Sequence, residues 1–252
     1  MELSLIASRL AEILPIVDAK TTTQRASRSG SGEYIPCVGT IWEDDLTREI
    51  TEMWSKSYPD ELPEYSDKWL EIRYPNKKGN CDLCLNGPDY SPVLGQPPYE
   101  WAIEMKYVRF IGDNGKNNDY GVTKVASPYR KDRSSVLDAE RLKGFTLAKK
   151  KAIVMYGFEF GPKSFKNAVE WCNNVEGEEK NKNLERAKNM KNVLDKEDPE
   201  TNAMDMLSLI PLFEAATHAR GIQLSESVDY DFQNLTRHPL YSKGRILAWQ
   251  VY

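Results

Sequence analysis

The stretch KKKAIVMYGFEF, Lys149 to Phe160, limits what this chain can fold into more than any other. Beyond its basic edge it is apolar almost without interruption, and a strand apolar on both faces has to be covered on both. A sheet with one face in water would alternate instead. A central strand between two layers is therefore expected here, and the rest of the chain has to supply those layers.

The supply begins with helices. MELSLIASRLAEILPIV sets Leu3, Ile6, Leu10, Ile13, Leu14 and Val17 at helical spacing, with an end expected between Pro15 and Lys20. Glu2, Arg9 and Glu12 break the run, so it is not read as a signal-peptide core, and no stretch reaches the length of a membrane span. A soluble, cytoplasmic protein without membrane contact is expected. IWEDDLTREITEMWSK is a second helix by the spacing of Trp42, Leu46, Ile50, Met53 and Trp54.

From Lys68 the period shifts to two. KWLEIRYP reads as a strand, NKKGN as a turn, CDLCL as a second strand, and EWAIEMKYVRF as a third after a Pro/Gly-rich loop. Ser135-Val-Leu-Asp138 has the pattern of a capping box, and Gly144 stands where a helix ends. The Lys149–Phe160 strand follows. IPLFEAATHARG is a helix between Pro211 and Gly221, and GRILAWQVY closes the chain as a strand. Helix, three strands, helix, strand is an α/β arrangement.

At 252 residues, with 40% apolar side chains, the chain can bury a core without staples. The expected organisation is an N-terminal helix and polar arm over residues 1–33 and one domain over 34–252. Within that domain, 163–200 is a charged helical insertion. Its stripe of Leu184, Ala187, Met190 and Leu194 is thin, as in a solvated helix pair or a partner-binding arm.

The net charge of −4 leaves no global footprint for nucleic acid, although a local basic face remains open. Cys37, Cys81, Cys84 and Cys172 include one CxxC, with no second pair and with His218 and His238 at no ligand spacing. Residues three apart in a strand point to opposite faces, so Cys81 and Cys84 are read as ordinary semi-buried thiols in a reducing cytosol. No GxxxxGK[ST] and no GxSxG is present.

The chemistry is expected in EWAIEMKYV. Period two puts Glu104 and Lys106 on one face with Ala102, and Ile103, Met105 and Tyr107 on the other. In CDLCL, Asp82 and Cys84 share a face. If the two strands pair with their apolar sides together, Asp82, Glu104 and Lys106 converge. Two close carboxylates repel unless a cation or proton lies between them. Magnesium takes one or two carboxylates and keeps its waters, and it is a Lewis acid towards a phosphoryl oxygen. A lysine beside it can orient or deprotonate a water, or stabilise charge on the phosphate. The set suits metal-dependent hydrolysis of a phosphodiester.

Asp82, followed 22 positions later by Glu104-Met-Lys106 in an apolar strand, resembles the PD-(D/E)xK nuclease superfamily. That superfamily includes many restriction endonucleases and has a mixed central sheet flanked by helices. The resemblance runs from about Trp42 to Phe160; Cys81 stands where the named motif has proline. It implies a restriction-endonuclease-like core in which Asp82 and Glu104 hold magnesium, with manganese able to substitute. The carbonyl of Met105 would be a third ligand and Lys106 the lysine acting on water. It also implies an acid from the preceding helix: Glu49 is the choice here and Glu43, at the other edge of the same stripe, the alternative.

Phosphate contacts need Lys, Arg and backbone donors rather than net charge. Tyr129, Arg130, Lys131 and Arg133 follow the third strand, Arg141, Lys143 and Lys149 to Lys151 lie close in sequence, and Arg25 and Arg28 could form an arm. Singly each reads as a solvated charge; together they suggest a DNA-contacting face. A DNA endonuclease with a restriction or anti-phage role is the expected function, and cutting both strands calls for a homodimer. A nuclease-like module that only binds nucleic acid or protein, and an RNA-directed nuclease, are the alternatives.

Overall fold

The computed structural model describes residues 1–22, 37–62, 69–75, 79–85, 97–112, 115–116, 125–127, 134–160, 162–174, 180–196, 205–238, 240 and 243–252. They build a mixed α/β fold, a six-stranded mixed sheet flanked by helices. The apolar run near its centre is β4 (Ala148–Phe158), buried continuously from Ala152 to Phe158. Its neighbours are β3 (Tyr99–Val108), parallel to it, and β6 (Lys243–Gln250), antiparallel. Strands β1 (Leu70–Arg73) and β2 (Asn80–Leu85) extend the sheet beyond β3, and β5 (Val228–Gln233) forms the other edge, giving the order β1-β2-β3-β4-β6-β5.

A parallel pair cannot be joined by a hairpin and needs a crossover. Helix α3 (Ser135–Lys143) provides it and lies on both β3 and β4. Its cap differs from the expected one. Ser134 accepts the Leu137 N–H at 3.3 Å, so Ser135 is the first helical residue and Asp138 is one place too late for a capping box. Asp138 is thereby left for another use.

Helices α1 (Leu3–Lys20) and α2 (Glu43–Ser57) cover one face. Helix α1 buries Leu3, Ile6, Leu10, Ile13, Leu14 and Val17 against β5, β6 and α2, at about 1.5–3 kcal/mol per buried side chain. Helix α2 lies on β2 and β3, where Thr47 Oγ1 is 3.9 Å from Met105 Sδ. Trp42 precedes α2 and is 42% exposed, so it stands outside the stripe expected to hold it.

The opposite face carries α3, a 3-10 turn at Met206–Ser208 and α6 (Leu209–His218). Trp249 on β6 donates to Glu214 of α6 at 3.0 Å. Register makes Glu104, Ile153 and Trp249 neighbours across three strands, so Glu104 faces this second layer. Between β4 and α6, α4 (Pro162–Asn174) and α5 (Lys180–Lys196) pack on each other. They bury Ala168, Ala187, Met190 and Leu194. Cys81 and Cys84 are wholly buried rather than half-buried. No helix among the described residues is long and apolar enough to cross a membrane.

Candidate active site

Strand β2 pairs with β3 only from Leu83↔Ile103 to Leu85↔Trp101. Its first residues turn away to pair with β1, as Ile72↔Cys81 and Arg73↔Asn80. A fork opens between β2 and β3, and the β3 amides on that edge lose their ladder partners. Carboxylates replace them. Asp82 Oδ2 accepts the Met105 N–H at 2.6 Å, and Glu43 Oε1, from the first turn of α2, accepts the Tyr107 N–H at 2.7 Å. These N–H groups are two residues apart, so they leave the strand on one edge.

The alternation expected of EWAIEMKY places the other groups. Glu104, 4% exposed, takes a hydrogen bond from Tyr74 on Oε1, and Arg141 Nη2 approaches the same oxygen to 3.6 Å. Lys106 Nζ stands between Glu43 Oε2 at 3.6 Å and Asp138 Oδ2 at 3.7 Å. Asp138 also holds Arg141 one helical turn later. Four carboxylates thus face two cations, an excess of two negative charges when all are ionised.

The charges feel that excess. Burial, with the Glu43 charge added, pushes the Asp82 carboxyl up to about 7, against the Met105 N–H and Lys106. Burial and then the charges of Asp82 and Asp138 lift Glu104 well above the ordinary carboxylate range. Burial also raises Glu43 and Asp138, with Lys106 opposing in both cases. For Lys106, burial pulls downward, but Glu43, Asp138, Asp82 and Glu104 outweigh it and hold the ammonium above its usual value. The phenol of Tyr74 is raised far out of range by burial and then by Glu104, so it stays a donor.

The structure brings Asp82, Glu104 and Lys106 together, although Asp82 reaches β3 through its side chain, just beyond the last paired residue of β2. Glu49 is elsewhere. It accepts from Thr21 Oγ1 at 3.2 Å and lines a 310 Å³ cavity with Lys20, Glu52 and Lys56. Glu43, six residues or about 9 Å earlier along the helix, reaches the fork instead. Arg141 is inside the cluster rather than on an outer face, and exposed Lys143 donates to the Gly221 carbonyl at 2.9 Å.

Lys149 to Lys151 lie at the start of β4, away from Lys106. Lys150 is in register with Trp101 and Lys151 with Ala102, four residues or about 13 Å short of Lys106. Arg25, Arg28, Tyr129, Arg130, Lys131 and Arg133 lie outside the described residues. Tyr74 and Asp138 were not anticipated. The signal for Asp138 was present, since Asp138 and Arg141 break the buried face that Val136, Ala139 and Leu142 make on α3.

Chemically, the site offers a half-buried acid, Asp82, and a buried one, Glu104, with a cationic lysine and an arginine. Asp82 Oδ2 and Glu104 Oε1 accept hydrogen bonds. Asp82 and Glu104 are near enough to share a proton. A divalent ion that takes two carboxylates and keeps its waters fits this donor set and would balance the excess charge. Among the described residues no group of three or more His, Cys, Asp or Glu side chains is arranged to hold a metal ion. The chain matches no family model, no curated protein and no solved structure.

Proposed function

We propose that the chain is a magnesium-dependent nuclease of restriction-endonuclease-like fold that hydrolyses phosphodiester bonds in DNA. The observation that carries the reading is the fork: Asp82, half-buried, and Glu104, buried, are short of positive charge and meet beside Lys106 two residues further along β3. Support also comes from the topology, in which a helix, three antiparallel strands, a crossover helix and a parallel strand follow in the order expected of the PD-(D/E)xK superfamily.

In this reading Asp82 and Glu104 hold magnesium, with manganese as a substitute, and the Met105 carbonyl leaves β3 on the same edge as the N–H that meets Asp82. The ion supplies Lewis acidity towards the phosphoryl oxygen and a more acidic water. Lys106 stays protonated, because the surrounding carboxylates hold it so, and serves by orienting water and neutralising phosphate charge rather than as a base. Its side chain is 27% exposed and Glu43's 34%, so the fork opens to solvent where a backbone phosphate can enter. Two copies acting together would cut both strands, as a cytoplasmic restriction or anti-phage enzyme does.

The test is cleavage of supercoiled plasmid, linear duplex, single-stranded DNA and RNA in magnesium, manganese or EDTA, beside Glu104→Ala and Lys106→Ala. Metal-dependent DNA cleavage, lost in both variants, is expected. Cleavage that survives both substitutions removes the site from the reaction. Binding without cleavage in either metal makes the chain a binding module, and cleavage confined to RNA changes the substrate.

A further inference from the structure

We infer that Tyr74 is the positioning residue of the metal site, assigning one oxygen of Glu104 to the protein and leaving the other for the ion. The inference rests on the proposed metal-binding role of Asp82 and Glu104.

A carboxylate at the end of a long side chain has two equivalent oxygens and a broad terminal torsion. Left to itself, Glu104 could present either oxygen or turn between them. Here both neighbouring donors choose the same atom. The Tyr74 hydroxyl donates to Oε1, and Arg141 Nη2 stands 3.6 Å from it. Equivalence is broken, because Oε1 is the oxygen that both donors approach.

Tyr74 is itself held rigidly. It is 2% exposed, directly after β1, and its N–H donates to the Gly79 carbonyl at 3.2 Å across the β1–β2 turn. Phe145 meets its ring edge-on, with centroids 5.2 Å apart and planes at 77°. The Arg141 guanidinium lies over the ring, 5.4 Å from the centroid. Gly79 leaves room for that arginine, since a Cβ there would stand 3.0 Å from Arg141 Nη1. Ring, turn and guanidinium therefore aim one hydroxyl at one oxygen. Donors that orient a ligating carboxylate typically change metal affinity by about 10- to 100-fold when removed.

The experiment measures Mn²⁺ binding to the full chain by calorimetry, without nucleic acid, for wild type, Tyr74→Phe and Glu104→Gln. Tyr74→Phe keeps the buried ring and deletes only the hydroxyl. It is expected to fold, to bind Mn²⁺ about 10- to 100-fold more weakly, and to add nothing to the loss in a Glu104→Gln background. Tyr74→Phe that binds as tightly as wild type overturns the inference while leaving the metal site standing. Wild type that takes up no Mn²⁺ removes the metal site and Tyr74's role together. Phe145→Leu, which keeps the hydroxyl but withdraws the edge contact, serves should Tyr74→Phe fail to fold. A fall in affinity supports the inference there, and unchanged affinity overturns it.

Discussion

Asp82 Oδ2 receives the Met105 N–H at 2.6 Å, in the place where a β2 carbonyl would stand if the ladder continued past Leu83↔Ile103. The carboxylate therefore has a structural duty that does not depend on its charge. Glu43 does the same for Tyr107 two residues further on. A neutral amide can perform that duty equally well, because its oxygen also accepts. What the amide cannot do is attract a cation, and this separates the two roles experimentally.

Asp82→Asn should stabilise the protein at alkaline pH. The Asp82 carboxyl sits at about 7 in the folded chain against 3.8 unperturbed. Below pH 4 both states hold the proton and nothing is lost. Between 4 and 7 the folded state keeps a proton that the unfolded state releases, so stability falls as pH rises, by up to about 1.4 kcal/mol per unit. Above 7 the loss is complete. Asn removes this slope, so the variant should match wild type near pH 4 and exceed it by up to about 4 kcal/mol at pH 8, roughly 8–16 °C in Tm. Magnesium should raise the wild-type Tm at pH 8 and leave the variant's where it was. A thermal melt series from pH 4 to 8 decides, and a variant less stable than wild type at pH 8 rules out the repulsion.

Lys106→Met should act in the opposite sense. The ammonium lies between Glu43, at 3.6 Å, and Asp138, at 3.7 Å. Without it, two raised carboxylates rise further and resist ionisation in the folded state. The cost should be about 2 kcal/mol at pH 8, less than a fully buried pair because Lys106 and Glu43 are partly in solvent. It should shrink as the pH falls from 8 to 5, because carboxylates held above their ordinary values take up protons before unperturbed ones do. Urea unfolding at the two pH values measures it; an equal loss at both assigns the effect to packing of the lysine stem.

How far the sequence reveals this site depends on which distances are local. Alternation within EWAIEMKYV and CDLCL was enough to align Asp82, Glu104 and Lys106, because side-chain direction in a strand follows from period two. Helical phase, by contrast, put Glu43 and Glu49 at two edges of one stripe and could not say which end of α2 lies over the fork. That depends on where the helix stops along the sheet, which is tertiary. The place of the basic run Lys149–Lys151 was hidden for a related reason: β3 and β4 run parallel, so residues just before β4's apolar core fall beside Trp101, not Lys106. Strand β5 was invisible because VDYDFQ buries only Phe232 of its six residues and is held to β6 largely through the backbone.

Glu43→Gln and Glu49→Gln separate the two helix acids. Glu43→Gln keeps an oxygen for the Tyr107 N–H but removes the charge 3.6 Å from Lys106. DNA cleavage should fall about 10- to 100-fold, as expected for a group that orients and balances a site. Among the described residues Glu49→Gln touches the Thr21 contact, and it should leave cleavage within about twofold and stability within about 0.5 kcal/mol. Initial rates at saturating magnesium test both, and a larger loss at Glu49 than at Glu43 reverses their roles.

Asp18 presents the clearest test of the fold apart from the site. Its side chain, 0% exposed near the C-terminal end of α1, accepts three backbone N–H bonds: Val38 at 3.2 Å on Oδ1, and Thr236 at 2.9 Å and Arg237 at 3.2 Å on Oδ2. The segment before α2 and the segment between β5 and β6 are thereby tied to one helix end. Bonds to a charged acceptor are stronger than neutral ones, and unpaired donors inside the protein carry their full desolvation cost. Asp18→Ala strands these amides and should cost about 3 kcal/mol or more, near 6–12 °C in Tm. Asp18→Asn keeps one acceptor oxygen and turns the other position into a donor facing amides, so it should recover less than half of that loss. Hydrogen exchange should locate the damage: Val38, Thr236 and Arg237 lose protection together in Asp18→Ala, while the β3–β4 ladder keeps its own. Loss confined to one of the two segments would mean that Asp18 does not join them.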